Sequence, residues 1–172
     1  AVYEAVQKNK PLVERIVTVT GKSLAKPSNL RVRIGTPISQ LIDMCGGLPL
    51  DTEKVISVGP MMGKAVVSTA MATTKGCSGV LLIRDLESRR EEMQPCIRCA
   101  TCVSACPMGL APNVLAKVAT YQNWECAEEE HVMDCIECGS CSFTCPAHRP
   151  LLDFIRQGKA KVGAIIRSRN AK

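Results

Sequence analysis

Aromatic residues make up only 3% of this 172-residue chain: one Trp, two Tyr and two Phe. Proteins that grip single-stranded nucleic acid stack bases on such rings, and no recognition motif accompanies the basic residues, so nucleic acid is a poor partner. Long apolar runs are missing too, and nothing approaches the roughly 18 continuous apolar residues of a membrane span. Any membrane association is therefore expected to be peripheral. Neither Gly-x-Gly-x-x-Gly nor a Walker pattern occurs, which removes the usual phosphate cradles. No signal-like segment opens the chain, and 172 residues can build a core without covalent staples, which argues against a secreted disulfide scaffold. The chain begins at Ala rather than Met and reads as a piece of a longer protein.

Cysteine, by contrast, is plentiful. Eight of the 11 cysteines fall into two runs of Cys-x-x-Cys-x-x-Cys-x-x-x-Cys-Pro. The first is Cys96, Cys99, Cys102, Cys106 and Pro107; the second is Cys135, Cys138, Cys141, Cys145 and Pro146. An odd total speaks against a disulfide framework. Tetrathiolate zinc also uses Cys-x-x-Cys, but in two separated pairs, and these runs leave too many thiolates for tetrahedral zinc. The spacing is that of two-cluster ferredoxins, in which three thiolates hold one [4Fe–4S] cluster and the fourth reaches across to the other. Steps of three residues wind a short loop around a cubane and let backbone amides point at its sulfurs. Such hydrogen bonds, with burial and net charge, set the potential within a range of roughly −700 to +450 mV. Pro107 and Pro146 fix φ and redirect the chain. The expected ligands are thus Cys96, Cys99, Cys102 and Cys145 for one cluster, and Cys135, Cys138, Cys141 and Cys106 for the other. The expected chemistry is one-electron transfer. Eight thiolates fill two clusters, so Cys126, His131 and His148 are expected to be structural.

The formal net charge is +6. Arg156, Lys159, Lys161, Arg167, Arg169 and Lys172 form a basic C-terminal tail without an acid. Two oxidised clusters, each carrying about −2, would leave the rest of the chain near −4. The tail reads as a solvated, frayed end, with docking to an acidic partner or an anionic membrane surface as the sharper alternative.

The chain divides into unlike halves. Residues 1–86 suggest a β-grasp domain with a short N-terminal helix. Residues 87–93 suggest a linker or exposed helix start, and residues 94–172 an α-helical ferredoxin domain. Residues 14–20 (ERIVTVT), 30–34 (LRVRI), 54–59 and 79–83 read as strands. Thr36 and Pro37 open a helix whose face carries Ile38, Leu41, Ile42 and Cys45, a core thiol, before Gly46-Gly47. Gly59-Pro60-Met61-Met62-Gly63 reads as a tight turn with its methionines packed on the core, or alternatively as a docking loop. Between the cysteine runs, Val114, Leu115, Val118 and Tyr121 are expected on one face of a helix starting at Pro112. Leu151, Leu152 and Ile155 begin a final helix that lids the second run.

Thr18-Val-Thr-Gly21, Leu30-Arg-Val-Arg-Ile-Gly-Thr-Pro37, Gly59-Pro-Met-Met-Gly63 and the two cysteine runs together resemble the C-terminal part of the C subunit of the Rnf electron-transport complex. That resemblance covers essentially the whole chain. It implies an α+β architecture: a soluble-ligand-binding β-grasp (SLBB) domain followed by an α-helical two-[4Fe–4S] ferredoxin domain. It also implies membership of a membrane-associated, ion-translocating ferredoxin:NAD oxidoreductase, peripheral on the cytoplasmic face, with other subunits as partners. FMN and NADH would bind only in a preceding domain, whose glycine-rich loop has no counterpart here, so no catalytic residue is assigned. Alternatives are the iron–sulfur part of a cobalamin reductase of propanediol metabolism, a cobalamin-type ligand-binding β-grasp module, and a zinc scaffold.

Overall fold

The computed structural model describes residues 1–171, which form two compact units, Ala1–Arg89 and a second that begins at Arg90. In the first unit, strand β1 (Glu14–Gly21) alternates its side chains, so that Val17 and Val19 are buried while Ile16 and Thr18 face outward. Strand β2 (Ser28–Arg33) pairs antiparallel with β1, with Val32 buried and Arg31 and Arg33 exposed, as period-two patterning requires. Three more strands follow: β3 (Thr52–Ser57), β4 (Lys64–Ala65) and β5 (Gly79–Arg84). They complete one sheet in the order β2-β1-β5-β3-β4. The central pair, β1 and β5, runs parallel and the other pairs are antiparallel. Gly21 stands opposite Leu82 in that central pair, where an added Cβ would lie 2.8 Å from the Leu82 Cβ.

A short helix α1 (Val2–Lys8) precedes the sheet and buries no residue. Helix α2 (Ile38–Met44) contributes Ile38, Leu41 and Ile42, together with the following Cys45, to a core shared with Val17, Val19, Val80 and Leu82. A mixed sheet closed by one helix is a β-grasp-type arrangement. Thr36 does not cap that helix. Its hydroxyl donates to the Arg33 carbonyl at 2.8 Å, closing the preceding turn, and Pro37 occupies the cap position. Cys77 is a second buried thiol in the same core.

The segment after β3 makes a turn in which the Gly63 amide donates to the Gly59 carbonyl at 2.8 Å. A Cβ on Gly63 would lie 2.5 Å from the Ile56 Cγ2, so only glycine fits. Met61 and Met62 are 41% and 51% exposed, so the methionines of this turn are not core residues. After β5, helix α3 (Asp85–Ser88) occupies part of the segment expected as a linker.

The second unit is helical: α4 (Thr101–Ser104), α5 (Pro112–Thr120), α6 (Trp124–Glu129), a 3-10 turn at Val132–Asp134, α7 (Ser140–Phe143) and α8 (Leu151–Asn170). Helix α5 starts at Pro112 as expected, but its buried stripe is Pro112, Leu115, Ala116 and Ala119, and Tyr121 is 74% exposed. The stripe is displaced because α5 packs on α8 through small residues. A Cβ on Gly158 of α8 would lie 3.3 Å from the Ala119 Cβ. The described part of the basic tail is no frayed end. It belongs to the 20-residue α8, where Arg156 Nε donates to Glu137 at 2.9 Å and Arg169 Nη1 reaches both oxygens of Glu128. Lys172 lies outside the described residues.

Candidate metal centre

The two cysteine runs adopt the same backbone. Arg98 and Glu137, each two residues after the first cysteine of its run, have left-handed φ of 56° and 58°. Ala100 and Gly139, immediately after the second cysteine, have φ of 60° and 83°. The single-turn helices α4 and α7 then carry the third cysteines, Cys102 and Cys141. Gly109 and His148, each three residues after the fourth cysteine, return to left-handed φ of 66° and 49°. For a side chain with a Cβ this conformation costs about 1–2 kcal/mol, so Arg98, Ala100, Glu137 and His148 hold strain around the cysteines. Alternating the handedness of successive residues turns their amides to one side and makes a concavity that suits an anion.

Two cavities result. Cys96, Cys99, Cys102 and Cys145 line one of about 490 Å³, and Cys106, Cys135, Cys138 and Cys141 line another of about 20 Å³. Each cavity thus collects three cysteines of one run and the fourth cysteine of the other. The smaller has room for little more than one water, so its walls must part to admit anything larger. Leu151 of α8 lines the first cavity, whereas Leu152 and Ile155 line the second. Among the described residues no three His, Cys, Asp or Glu side chains are close enough to hold a single metal ion. The thiols ring a volume instead of meeting at a point. No carboxylate or imidazole lines either cavity, and soft thiolates alone are the donor set of iron–sulfur chemistry.

Hydrogen-bond donors are already turned toward several sulfurs. The Thr101 hydroxyl donates to Cys99 Sγ at 3.2 Å and lowers that thiol's pKa, aided by the Thr101 amide. Ser140, at the same offset in the second run, lies 3.5 Å from Cys138 Sγ and lowers it likewise. The Glu137 amide donates to Cys135 Sγ at 3.4 Å, although burial outweighs it and Cys135 is raised. Burial also raises Cys102, and it pushes Cys141 up to about 11. Burial alone would raise Glu137 as well, but its hydrogen bond from Arg156 and the charge of Lys159 hold it below the ordinary carboxylate value. Lys159 Nζ stands 3.5 Å from the Glu137 Oε1 and donates to the Cys135 carbonyl at 2.5 Å.

The other candidates stand apart. Cys45 and Cys77 are core thiols of the first unit. Cys126 is half-buried on α6, where its amide donates to the capping Asn123 side chain at 3.2 Å. His131 is exposed in a left-handed turn, and His148 Nε2 lies 3.0 Å from the Glu91 carboxylate. Four polar residues of the first cavity escaped sequence reasoning: Arg98, Asn113, Lys117 and Arg149. Aligning the runs on each other could have found two of them. Arg98 falls where Glu137 stands, and Arg149 falls where Leu110 lines the second cavity. Asn113 and Lys117 sit one turn apart on α5, and nothing in the local pattern marks them.

Residues 16–65 match the SLBB domain family, and residues 89–146 match the 4Fe-4S dicluster domain family. The chain therefore joins an SLBB domain of β-grasp type to an iron–sulfur domain of the dicluster class. It is 42% identical over 162 residues to the C subunit of the ion-translocating oxidoreductase complex of Rhodobacter capsulatus, covering 94% of this chain and 31% of that protein. Identity is 40% to the C subunit of the proton-translocating ferredoxin:NAD(+) oxidoreductase complex of Clostridium ljungdahlii, over 94% of this chain and 35% of that one. It is 38% to the Na(+)-translocating counterpart of Acetobacterium woodii, over 98% and 38%. Across nearly all its length, the chain is homologous to the C subunits of Rnf-type ion-translocating oxidoreductases, and it spans about a third of those relatives. Among the described residues no helix is long and apolar enough to cross a membrane.

Proposed function

We propose that this chain is the electron-relay portion of a membrane-associated ferredoxin:NAD oxidoreductase, built to hold two [4Fe–4S] clusters. Cys96, Cys99, Cys102 and Cys145 would hold one cluster, and Cys135, Cys138, Cys141 and Cys106 the other. The partition of eight thiols into two cavities, each drawing its fourth cysteine from the opposite run, carries this reading. Bound there, the clusters supply reversible one-electron transfer. The chain's own contribution is to shape the cavities, to aim amides and hydroxyls at the sulfurs, and to shield the inner thiols with Leu151, Leu152 and Ile155. Flavin and nicotinamide binding fall outside these residues, which have no glycine-rich phosphate loop. The partners are other subunits of the complex, and the setting is the cytoplasmic face of a membrane, reached through them.

Anaerobic reconstitution with iron and sulfide, followed by metal analysis and EPR of the reduced protein, tests this. Two [4Fe–4S] signals are expected. Cys145→Ala should remove or convert the cluster on the Cys96 loop, and Cys106→Ala the cluster on the Cys135 loop. Failure to assemble cubane clusters overturns the function. Loss on the variant's own loop overturns the crossed ligation alone.

A further inference from the structure

One backbone frame repeated twice invites a comparison of what the two copies carry. The position two residues after the first cysteine holds Arg98 in one run and Glu137 in the other, at nearly the same φ. The position four residues after the fourth cysteine holds Arg149, which lines the first cavity, and Leu110, which lines the second. Lys117 of α5 adds a third cation to the first cavity, and no acid lines it. The second cavity has no charged lining residue. Its neighbour Glu137 is paired with Arg156 and Lys159, so about one surplus positive charge remains nearby. Access differs in the same sense. Cys96 and Cys99 are exposed, whereas every cysteine of the second cavity is half-buried or buried.

Taking up one electron makes a cluster more negative by one charge. A nearby cation or contacting water stabilises that reduced form and raises the potential, while a nearby carboxylate or a dry apolar wall lowers it. We infer that the two sites are redox-inequivalent, with the Cys96–Cys99–Cys102–Cys145 site at the higher potential, and that Arg98, Lys117 and Arg149 set the difference while Glu137 opposes it at the other site. The inference rests on the two-cluster reading proposed above. It assigns to four side chains outside the cysteine runs' ligand positions the task of ordering the two centres, so that an electron resides preferentially at the more accessible one.

The test is a potentiometric titration of the reconstituted chain with dithionite, followed by EPR at each potential. Two separate reduction steps are expected. Arg98→Gln, Lys117→Gln and Arg149→Gln, singly and together, should move the higher step downward and leave the lower one in place. Glu137→Gln should move the lower step upward and leave the higher one in place. Iron and sulfide content is measured for every variant, so a loss of clusters, which bears on the function, is distinguished from an unmoved potential, which bears on this inference. Lys117 is exposed on α5, so its single substitution supplies a variant with little structural burden. A single unresolved step, movement of the wrong step, or no movement in loaded protein overturns the inference.

Discussion

Cys99 and Cys138 each lean on a hydroxyl two residues on, whereas Cys102 and Cys141 point into buried surroundings. Thiol reactivity follows the thiolate fraction and exposure. In the metal-free protein near pH 8, iodoacetamide should therefore label Cys99 and Cys138 well ahead of Cys102 and Cys141, as read by mass spectrometry of the peptides. Raising the pH toward 11 should bring Cys141 into reaction, because its proton is held to about 11. Thr101→Val should slow Cys99 alone. The cysteine positions were legible because the ligand spacing is local in sequence. Asn113 and Lys117 were not, because they meet the first cavity only through tertiary packing, and a polar residue on a helix has no local signature of what it faces.

Elements read from the sequence best where one face is buried. Strands β1 and β2 and helix α2 follow their period-two and period-3.6 patterns closely. Strand β4 is two exposed residues, held only by pairing with β3, and gives no apolar signal. Helix α5 misled for a different reason. A search for bulky apolar side chains selects Val114, Leu115, Val118 and Tyr121, of which only Leu115 is fully buried, whereas Ala116 and Ala119 complete the buried stripe and Ala119 meets the bare backbone of Gly158. That close approach makes a specific demand. Gly158→Leu should destabilise the second unit by about 1–3 kcal/mol, as overpacking does. Gly158→Ala should be far milder, since its Cβ meets Ala119 at 3.3 Å and alanine favours the helix. Urea unfolding followed by circular dichroism measures both.

Taken as one molecule, the chain carries its charge unevenly. The first unit has 12 basic residues against seven acidic ones, and the remainder has ten against nine. Loading two clusters onto neutral thiols adds about four negative charges, which lowers the formal net charge from +6 to about +2. The reconstituted protein should accordingly leave a cation exchanger at lower salt than the metal-free protein at pH 7. Unchanged elution with full iron content would mean that the thiolate charges are offset elsewhere. The nearly balanced second unit also explains why the basic residues of α8 find acids: Glu128 and Glu137 lie within reach of a helix that carries no acid of its own from Arg156 onward.

The place of β1 between β2 and β5 also bears on the order in which the polypeptide can acquire structure. Its parallel neighbour, β5, is the last strand of the unit, on the order of 60 residues downstream. A ribosome must therefore deliver nearly the entire first unit before its central pairing can close, while β1 and β2 wait as a lone hairpin of marginal stability. Folding of this half is expected to be late and slow relative to the helical half, whose elements meet over shorter stretches of chain.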